Sequence, residues 1–274
     1  MRSINNINTD PIRFIADTEI PIPVMVCSHE RSGTHFLINS IADNSRYSND
    51  PFLNYDLKPL GSFLNFHDKK DVKTFFERLT ERRCASIVKS HFSAGFFLEH
   101  DEEFILNDLL KILYIVRNPV EVMLSYHRFI KHFSWHEGPK TQRAIDFSSA
   151  APEGQMLRYQ SGQADSILER WKLHLLGWLK VAEENKANVR VINYQDLDRD
   201  HGVVTKQVLS FLGVDCPDVI IRPDRTTKTV HIPEFRVIAF EEREELRKFI
   251  VERIGYIEAI ESLFPELYKI TASD

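Results

Sequence analysis

The sequence predicts an α/β fold built on a central parallel sheet with helices on both faces. Short apolar runs of strand length alternate along the chain with longer segments of helical periodicity. The run Ile112–Val116 is apolar or aromatic at every position, which is typical of a strand buried on both faces of a parallel sheet. Polar residues follow directly after the apolar runs. In such sheets ligands bind beyond the carboxyl ends of the strands.

The strands and helices follow one another in a regular order. Consecutive apolar or β-branched residues predict strands at Val24–Cys27, Ala85–Lys89, Ile112–Val116 and Val189–Asn193. Helical spacing predicts helices at Thr34–Ala42, Asp71–Thr80, Glu102–Leu110, Pro119–Phe133, Asp165–Asn185, Val203–Leu212 and Phe240–Ile254. Pro119 suits the first turn of its helix, and Gly213 suits the end of another. The segments 43–67 and 134–162 lack a regular period and are predicted to be loops.

Length and composition limit the class of protein. The 274 residues fit one domain spanning 1–274, and 43% hydrophobic residues suffice for a sizeable core. A net charge of -5 argues against a general nucleic-acid binder. The three cysteines are scattered and fit a reducing compartment. With no signal-peptide pattern and no run of membrane-span length in the sequence, we expect a cytoplasmic protein with no membrane span.

The junction after the first predicted strand has the features of an anion-binding loop. The segment reads Val-Met-Val-Cys-Ser-His-Glu-Arg-Ser-Gly-Thr-His-Phe-Leu over residues 24–37, which is a strand, a polar turn and the start of a helix. A helix N-terminus aims backbone N–H groups and the positive end of its dipole at one point. Arg31 adds a cation, Gly33 permits close backbone approach and Thr34 supplies a hydroxyl. The loop therefore predicts a bound phosphate-like group.

An ATP- or GTP-binding loop of the Walker type is the first alternative. That pattern requires G-x-x-x-x-G-K-[ST]. With Gly33 as the second glycine, the first glycine is replaced by Ser28, the lysine by Thr34 and the hydroxyl residue by His35. The lysine that reaches the terminal phosphates is thus absent, and the cation precedes the glycine instead. These differences disfavour a nucleoside triphosphatase.

Three further strand ends carry groups suited to chemistry. Lys89-Ser-His91 follows the second strand, and Arg117-Asn-Pro follows the third, with Ser125 eight residues further on. Tyr194-Gln-Asp-Leu follows the fourth strand. Since the carboxyl ends of parallel strands meet at one edge, we expect these side chains to converge with the first loop.

Together these motifs resemble the sulfotransferases that use 3′-phosphoadenosine 5′-phosphosulfate (PAPS). The segment 28–36 resembles their 5′-phosphosulfate loop, and Arg117 with Ser125 resembles their 3′-phosphate motif. Lys89-Ser-His91 is similar to the lysine-x-histidine that carries the catalytic base, and 189–197 resembles the strand ending in Tyr-Glu-Asp-Leu. The resemblance spans roughly residues 24 to 200 in order. It implies a single P-loop-like domain and a nucleotide-binding transferase.

The resemblance assigns binding roles to particular residues. The 5′-phosphosulfate would be surrounded by the loop residues Arg31, Ser32, Gly33, Thr34, His35 and Phe36. The Phe36 ring would also stack on adenine. Arg117 and Ser125 would hold the 3′-phosphate, with Tyr194 nearby. The family's Arg-Lys-Gly segment and its following Gly-Asp-Trp-Lys are not found here. The residues that could instead close over the 3′-phosphate are Arg225, Thr227 and Lys228.

The same resemblance assigns the catalytic roles. His91 would be the general base that takes the proton of the acceptor hydroxyl. Arg31 stands where the cytosolic members usually have lysine, and it would stabilise the leaving phosphate oxygen rather than protonate it. Lys89 would contact the sulfuryl oxygens or order the base. The scheme requires no metal, and we predict PAPS as donor, PAP as product and no metal site.

The acceptor is the least defined part of the prediction. The aromatic and polar segments 43–67 and 134–162 are expected to form the acceptor site. Their aromatic residues suit phenols and steroids and can also stack on sugar rings. Because the sequence shows no targeting segment, we expect a small hydroxylated molecule, sugar or lipid as acceptor rather than a protein, and the oligomeric state stays open. Two alternatives remain: a non-catalytic protein that binds PAP or PAPS, and a nucleotide kinase of related topology. The Lys89-Ser-His91 triplet favours an enzyme, because a pure binder needs no base.

Overall fold

The architecture is a four-stranded parallel sheet covered on both faces by helices. The computed structural model describes residues 22–47, 87–100, 110–132, 138–159, 163–224 and 240–269. The strands are β1 (Val24–Cys27), β2 (Ile87–Ser90), β3 (Lys111–Val116) and β4 (Val189–Asn193). Their order across the sheet is β2-β1-β3-β4, and all three pairings are parallel. The predicted α/β fold with a parallel sheet is confirmed.

The register of the sheet places all four strand ends at one edge. Cys27, the last residue of β1, pairs with Ser90 of β2 and with Tyr114 of β3. At the far side, Val116 pairs with Asn193 of β4. The loops that begin after these residues therefore open on the same side of the molecule, as the sequence predicts.

Helices connect the strands and continue after the sheet. Up to β4 they are α1 (Thr34–Ala42), α2 (Ala94–His100), α3 (Pro119–His132), α4 (Ala144–Ser149) and α5 (Ile167–Glu184), with a 3₁₀ helix at Gly154–Tyr159. After β4 they are α6 (Tyr194–Arg199), α7 (His201–Phe211), α8 (Phe240–Ile254), α9 (Glu258–Leu263) and α10 (Pro265–Tyr268). Among the described helices none is long and apolar enough to cross a membrane.

Two apolar clusters cover the two faces of the sheet. Alternate residues of β1 and β3 point to opposite faces, so Met25 and Tyr114 join one cluster while Val26 and Leu113 join the other. The first cluster contains the large side chains of α5, including Trp171 and Trp178. The second contains Leu37 and Ile41 of α1 together with Val208 and Leu209 of α7. Burial on both faces explains why the strands are almost wholly apolar.

Most predicted elements are confirmed, and several short helices are new. The predicted bounds of β1, α1, β4 and α8 match the structure. The prediction of an uninterrupted loop over 134–162 is wrong, because α4 and the 3₁₀ helix lie within it. Helix α2 and the short helix α6 were not predicted. The helix predicted at Asp71–Thr80, and all but the last residue of the one at Glu102–Leu110, lie outside the described residues.

Candidate active site

Two residues of the loop after β1, Arg31 and Gly33, have left-handed backbone conformations. Arg31 has φ 66° and Gly33 has φ 97°, both in the region that favours glycine. A Cβ atom on Gly33 would lie 2.2 Å from Cδ2 of Tyr194, so only glycine fits against that ring. The loop leads into α1, whose first turn carries no acidic residue and whose N-cap, Gly33, forms no side-chain capping bond. Helix α1 thus presents a helix N-terminus suited to an anion.

Two hydroxyls and an imidazole lie together inside this loop. The Ser28 hydroxyl is 2.6 Å from the Thr34 hydroxyl and 3.3 Å from Nδ1 of His91. The same Nδ1 lies 2.9 Å from the Ser28 carbonyl oxygen. All three side chains are buried. The loop after β1 and the end of β2 are therefore joined at His91, as the sequence predicts for converging strand ends.

The environment of His91 fixes both its tautomer and its charge. A carbonyl oxygen can only accept, so Nδ1 of His91 carries a proton that it donates to Ser28. In the neutral ring the lone pair is then on Nε2. Burial, followed by the positive charge of Lys89, lowers the pKa of His91 well below its ordinary value, while Glu30 acts in the opposite direction. The ring is therefore neutral at physiological pH and can accept a proton at Nε2.

Arg31 reaches across to helix α3. Its Nε donates to the Ser125 hydroxyl at 3.2 Å, and its guanidinium lies 4.8 Å from the centre of the Phe129 ring. Burial, followed by the charge of Arg117, lowers the pKa of Arg31. Among the described residues no carboxylate pairs with the Arg31 guanidinium. An anion between Arg31 and Arg117 would relieve the repulsion of the two charges.

Arg117 begins the connection after β3 and is held from three sides. Its Nη1 donates to the Arg31 carbonyl at 3.2 Å, and its Nη2 is 3.5 Å from the Glu121 carboxylate. Its guanidinium lies 4.4 Å from the centre of the Tyr194 ring, a cation–π geometry. A cavity of about 480 Å³ opens beside these side chains and is lined further by Arg243. Arg117 and Tyr194 are therefore brought together, as predicted.

Lys89 adds a further positive charge beside the loop. Although His35 is an exposed residue, partial burial and then the charges of Lys89 and Arg31 lower the pKa of its ring to about 4. Lys89 also lowers the pKa of His91. The charge of Lys89 therefore acts on both the base and the first turn of α1.

Beneath the loop lies a buried ionic network that the sequence analysis missed. Arg170 of α5 donates two hydrogen bonds, of 2.7 and 2.9 Å, to the Glu30 carboxylate, and the Tyr126 hydroxyl donates a third at 3.1 Å. Arg170 also lies 2.8 Å from Nε2 of His29. Burial alone would raise the pKa of Glu30, but the charge of Arg170, with His29, holds it well below its ordinary value. Glu30 is therefore ionised and fully satisfied.

The sequence comparison decides the family. A model of the sulfotransferase domain family matches residues 21–248. The chain belongs to the sulfotransferase family. The predicted resemblance and the enzyme class that it implies, a PAPS-dependent sulfotransferase, are confirmed.

Individual relatives of this sulfotransferase are distant. It is 24% identical to a 3-alpha-hydroxysteroid sulfotransferase of Cavia porcellus over 82% of this chain and 67% of that protein. It is 21% identical to sulfotransferase 1A1 of Mus musculus over 73% of this chain and 63% of that protein. The matched region thus corresponds to about two thirds of the length of either relative. A mouse sulfotransferase, SULT7A1, crystallised with PAP, has the same fold with a TM-score of 0.56, at 18% identity over 91% of this chain and 89% of that one.

One predicted site residue of the sulfotransferase packs into the core, and several others lie outside the described part of the chain. The Phe36 ring, predicted to stack on adenine, packs into the cluster formed with α7, and the Arg222 guanidinium lies 5.4 Å from its centre. Arg225, Thr227 and Lys228 lie outside the described residues, as do residues 48–67 of the predicted acceptor segments. Within the part of the chain that the structure describes, no group of three His, Cys, Asp or Glu side chains could hold a metal ion.

Proposed function

We propose that this protein transfers a sulfuryl group from PAPS to the hydroxyl of a small acceptor in a single in-line step. The observation that carries the proposal is His91, whose lone pair on Nε2 is fixed by the bond from Nδ1 to Ser28, beside the hydroxyls and cations of the loop. In the step, the acceptor oxygen forms a bond to sulfur and the bond from sulfur to the 5′-phosphate oxygen breaks. The acceptor proton goes to His91 Nε2, and PAP leaves as an anion.

The first loop supports binding of the 5′-phosphosulfate. Gly33 allows the loop backbone to lie against the Tyr194 ring, and the N-terminus of α1 has no acidic side chain that would repel an anion. Ser32, Thr34, His35 and the start of α1 would surround the group. Arg31 would stabilise the charge that develops on the leaving oxygen, an interaction stronger in the transition state than in the ground state. Lys89 would contact the sulfuryl oxygens.

The second half of the donor would lie towards β3 and β4. Arg117 and Ser125 would bind the 3′-phosphate, the group that distinguishes PAPS from simpler adenylates. The hydrogen bond from Arg31 to Ser125 supports this, because it joins the proposed 5′-phosphosulfate loop to the proposed 3′-phosphate site. Tyr194 supports Arg117 through its ring and would line the nucleoside pocket together with Phe36.

For the acceptor we propose a small hydroxylated molecule. One relative is by name a hydroxysteroid sulfotransferase, and the aromatic Phe129 beside Arg31 supplies an apolar wall next to the reacting groups. We propose that the protein works in a reducing compartment such as the cytoplasm, since neither of the described cysteines, Cys27 and Cys216, takes part in a disulfide.

A thermal-shift panel with PAP, PAPS, ATP and GTP tests the donor. A ligand that binds only the folded state raises the melting temperature, by an amount set by its concentration relative to Kd. We expect PAP and PAPS to stabilise the protein and ATP and GTP to have little effect. An equal response to ATP, or no response to PAP, would contradict the proposal. PAP binding without any acceptor-dependent transfer would instead favour the non-catalytic alternative.

A further inference from the structure

Helix α5 carries three polar-tipped side chains in one stripe that faces the active site. Arg170, His174 and Trp178 are spaced four residues apart, so they lie on the same side of the helix. All three are buried. Each of the three directs a donor at the loops that follow β1 and β2.

The contacts of the stripe reach both loops. Arg170 binds Glu30, the residue directly before Arg31. Nε2 of His174 lies 3.2 Å from the carbonyl oxygen of His91, and the indole N–H of Trp178 donates to the carbonyl oxygen of Phe92 at 3.1 Å. One rigid helix therefore fixes the residue before the loop cation and the backbone of the base.

The proton positions along the stripe follow from its partners. Because the His91 carbonyl can only accept, Nε2 of His174 carries the proton and donates it. Nδ1 of His174 then accepts from the Tyr114 hydroxyl, at 2.9 Å. Burial, followed by the charges of His29 and Arg170, lowers the pKa of His174 to about 3, so the ring stays neutral. Tyr114, His174 and the His91 carbonyl thus form a directed chain of hydrogen bonds.

We propose that the stripe Arg170–His174–Trp178 is the positioning element of the active site, and that His174 sets the orientation of the base through the backbone of His91. The inference rests on the proposed function only in calling His91 the base. His174 is a positioning residue, because it acts on His91 through a hydrogen bond to the backbone carbonyl. Its loss should lower the transfer rate while leaving nucleotide affinity in place.

Replacement of His174 by glutamine and by methionine tests the proposal with a matched pair. The two side chains have nearly the same shape, but glutamine keeps an N–H donor and an oxygen acceptor whereas methionine has neither. We expect His174→Gln to retain kcat within about threefold. We expect His174→Met to lower kcat by about 10- to 100-fold, as for a small displacement of a catalytic group, with the Kd for PAP within about threefold of the wild type. Equal kcat in both variants, or loss of PAP binding in proportion to kcat, would overturn the proposal.

A second readout uses the unliganded protein and needs no sulfuryl donor. The NMR signals of labelled histidine rings report the tautomer, and the His91 signal is assigned by its loss in His91→Ala. We expect the Nδ1-protonated form of His91 to persist in the wild type and in His174→Gln, and to give way to mixed tautomers in His174→Met. An unchanged His91 signal in His174→Met would overturn the proposal, even if the wild type proved unable to transfer sulfate.

If His174→Met does not fold, the His91 tautomer can be measured in His174→Asn, which keeps a polar side chain. Asparagine can still accept a hydrogen bond from the Tyr114 hydroxyl, but its side chain is one methylene shorter than glutamine and does not reach the His91 carbonyl oxygen. We expect the tautomer of His91 to become mixed in His174→Asn as well. A His91 signal identical to that of His174→Gln would contradict the positioning role.

Discussion

The ring nitrogen Nδ1 of His91 lies 2.9 Å from the carbonyl oxygen of Ser28, the first residue after β1. This bond joins the residue that follows β2 to the first residue of the anion-binding loop. It also determines which nitrogen of the ring can accept a proton.

Replacement of Gly33 by alanine should damage both the loop and the fold. The new Cβ would lie 2.2 Å from the Tyr194 ring, and φ 97° is strained for any L side chain. We expect a loss of about 1–3 kcal/mol in the free energy of unfolding, measured by denaturant titration, and a loss of PAP binding.

Two other glycines serve as controls for that variant. Gly213 has φ 67° with no atom near its missing Cβ, so Gly213→Ala measures backbone strain without the clash. Gly202 lies in helix α7 in open space, and Gly202→Ala should stabilise the protein by up to about 0.5–1 kcal/mol. A Gly33→Ala variant as stable as Gly213→Ala, with PAP binding intact, would contradict the close approach of Tyr194.

Removal of the Arg117 guanidinium should weaken nucleotide binding directly. Arg117→Ala should reduce the affinity for PAP by about 1.5–3 kcal/mol, the range for a charged hydrogen bond, as measured by calorimetry. Arg199, an exposed arginine paired with Asp196 and Asp200, is the control, and Arg199→Ala should bind PAP as the wild type does. Equal affinities in the two variants would remove Arg117 from the site.

Stability should fall in mild acid because buried histidines stay neutral in the fold. Burial lowers the pKa of His29 to about 4, although the Glu30 carboxylate acts in the opposite direction. Burial, followed by the charges of His29 and Arg170, lowers the pKa of His174 to about 3, against an ordinary value near 6.5. Between pH 6.5 and 4 the unfolded chain therefore binds more protons than the folded one, and stability declines as pH falls. The slope is up to about 1.4 kcal/mol per pH unit for each histidine.

Glu30 affects a different range of pH. Its folded pKa is lowered, so the stability that it contributes is present above the ordinary value of a glutamate and is lost only as pH falls through the lower folded value.

The decline predicted for the buried histidines is tested by comparing the wild type with His174→Gln in denaturant titrations from pH 7 to 4. The variant should show a shallower decline, and an identical slope would contradict the neutral state of His174.

The Glu30–Arg170 pair should be costly to break on one side alone. Arg170→Met leaves a buried carboxylate without its partner and should destabilise the protein by about 3–5 kcal/mol in denaturant titration. The double variant Glu30→Gln with Arg170→Met removes the charge as well and should recover much of that loss. Arg143→Met, which breaks the exposed pair with Glu245, should have no measurable effect. Additive losses in the double variant would contradict the coupling.

The fold could be predicted because its main elements have strong local signals. The bounds of β4 and α8 follow from a continuous apolar run and a long charged helical pattern. Helix α4 has only six residues, too few for a readable period, and it forms because Phe147 is buried among its neighbours. Such short helices depend on tertiary packing that a local pattern does not contain.

The residues at the strand ends could be predicted from the sequence, but the buried contacts that hold them in place could not. Parallel strands share one edge, so the residues after each strand, including His91 and Arg117, could be expected to meet there. The bond from Arg170 to Glu30 joins residues separated by 140 positions on elements that the sequence does not link. The only available signal was a charged residue on an apolar helix face beside Trp171, and it can be seen in retrospect.

The central claim is that His91 takes the proton of an acceptor hydroxyl during sulfuryl transfer from PAPS. The most direct measurement is the acceptor-dependent release of PAP from PAPS, with a panel of phenols and hydroxysteroids, for the wild type and His91→Ala. We predict acceptor-dependent turnover by the wild type and its loss, on the order of 100-fold or more, in His91→Ala. The Kd for PAP, measured on the same samples, should be nearly unchanged. Transfer by His91→Ala at the wild-type rate would contradict the account.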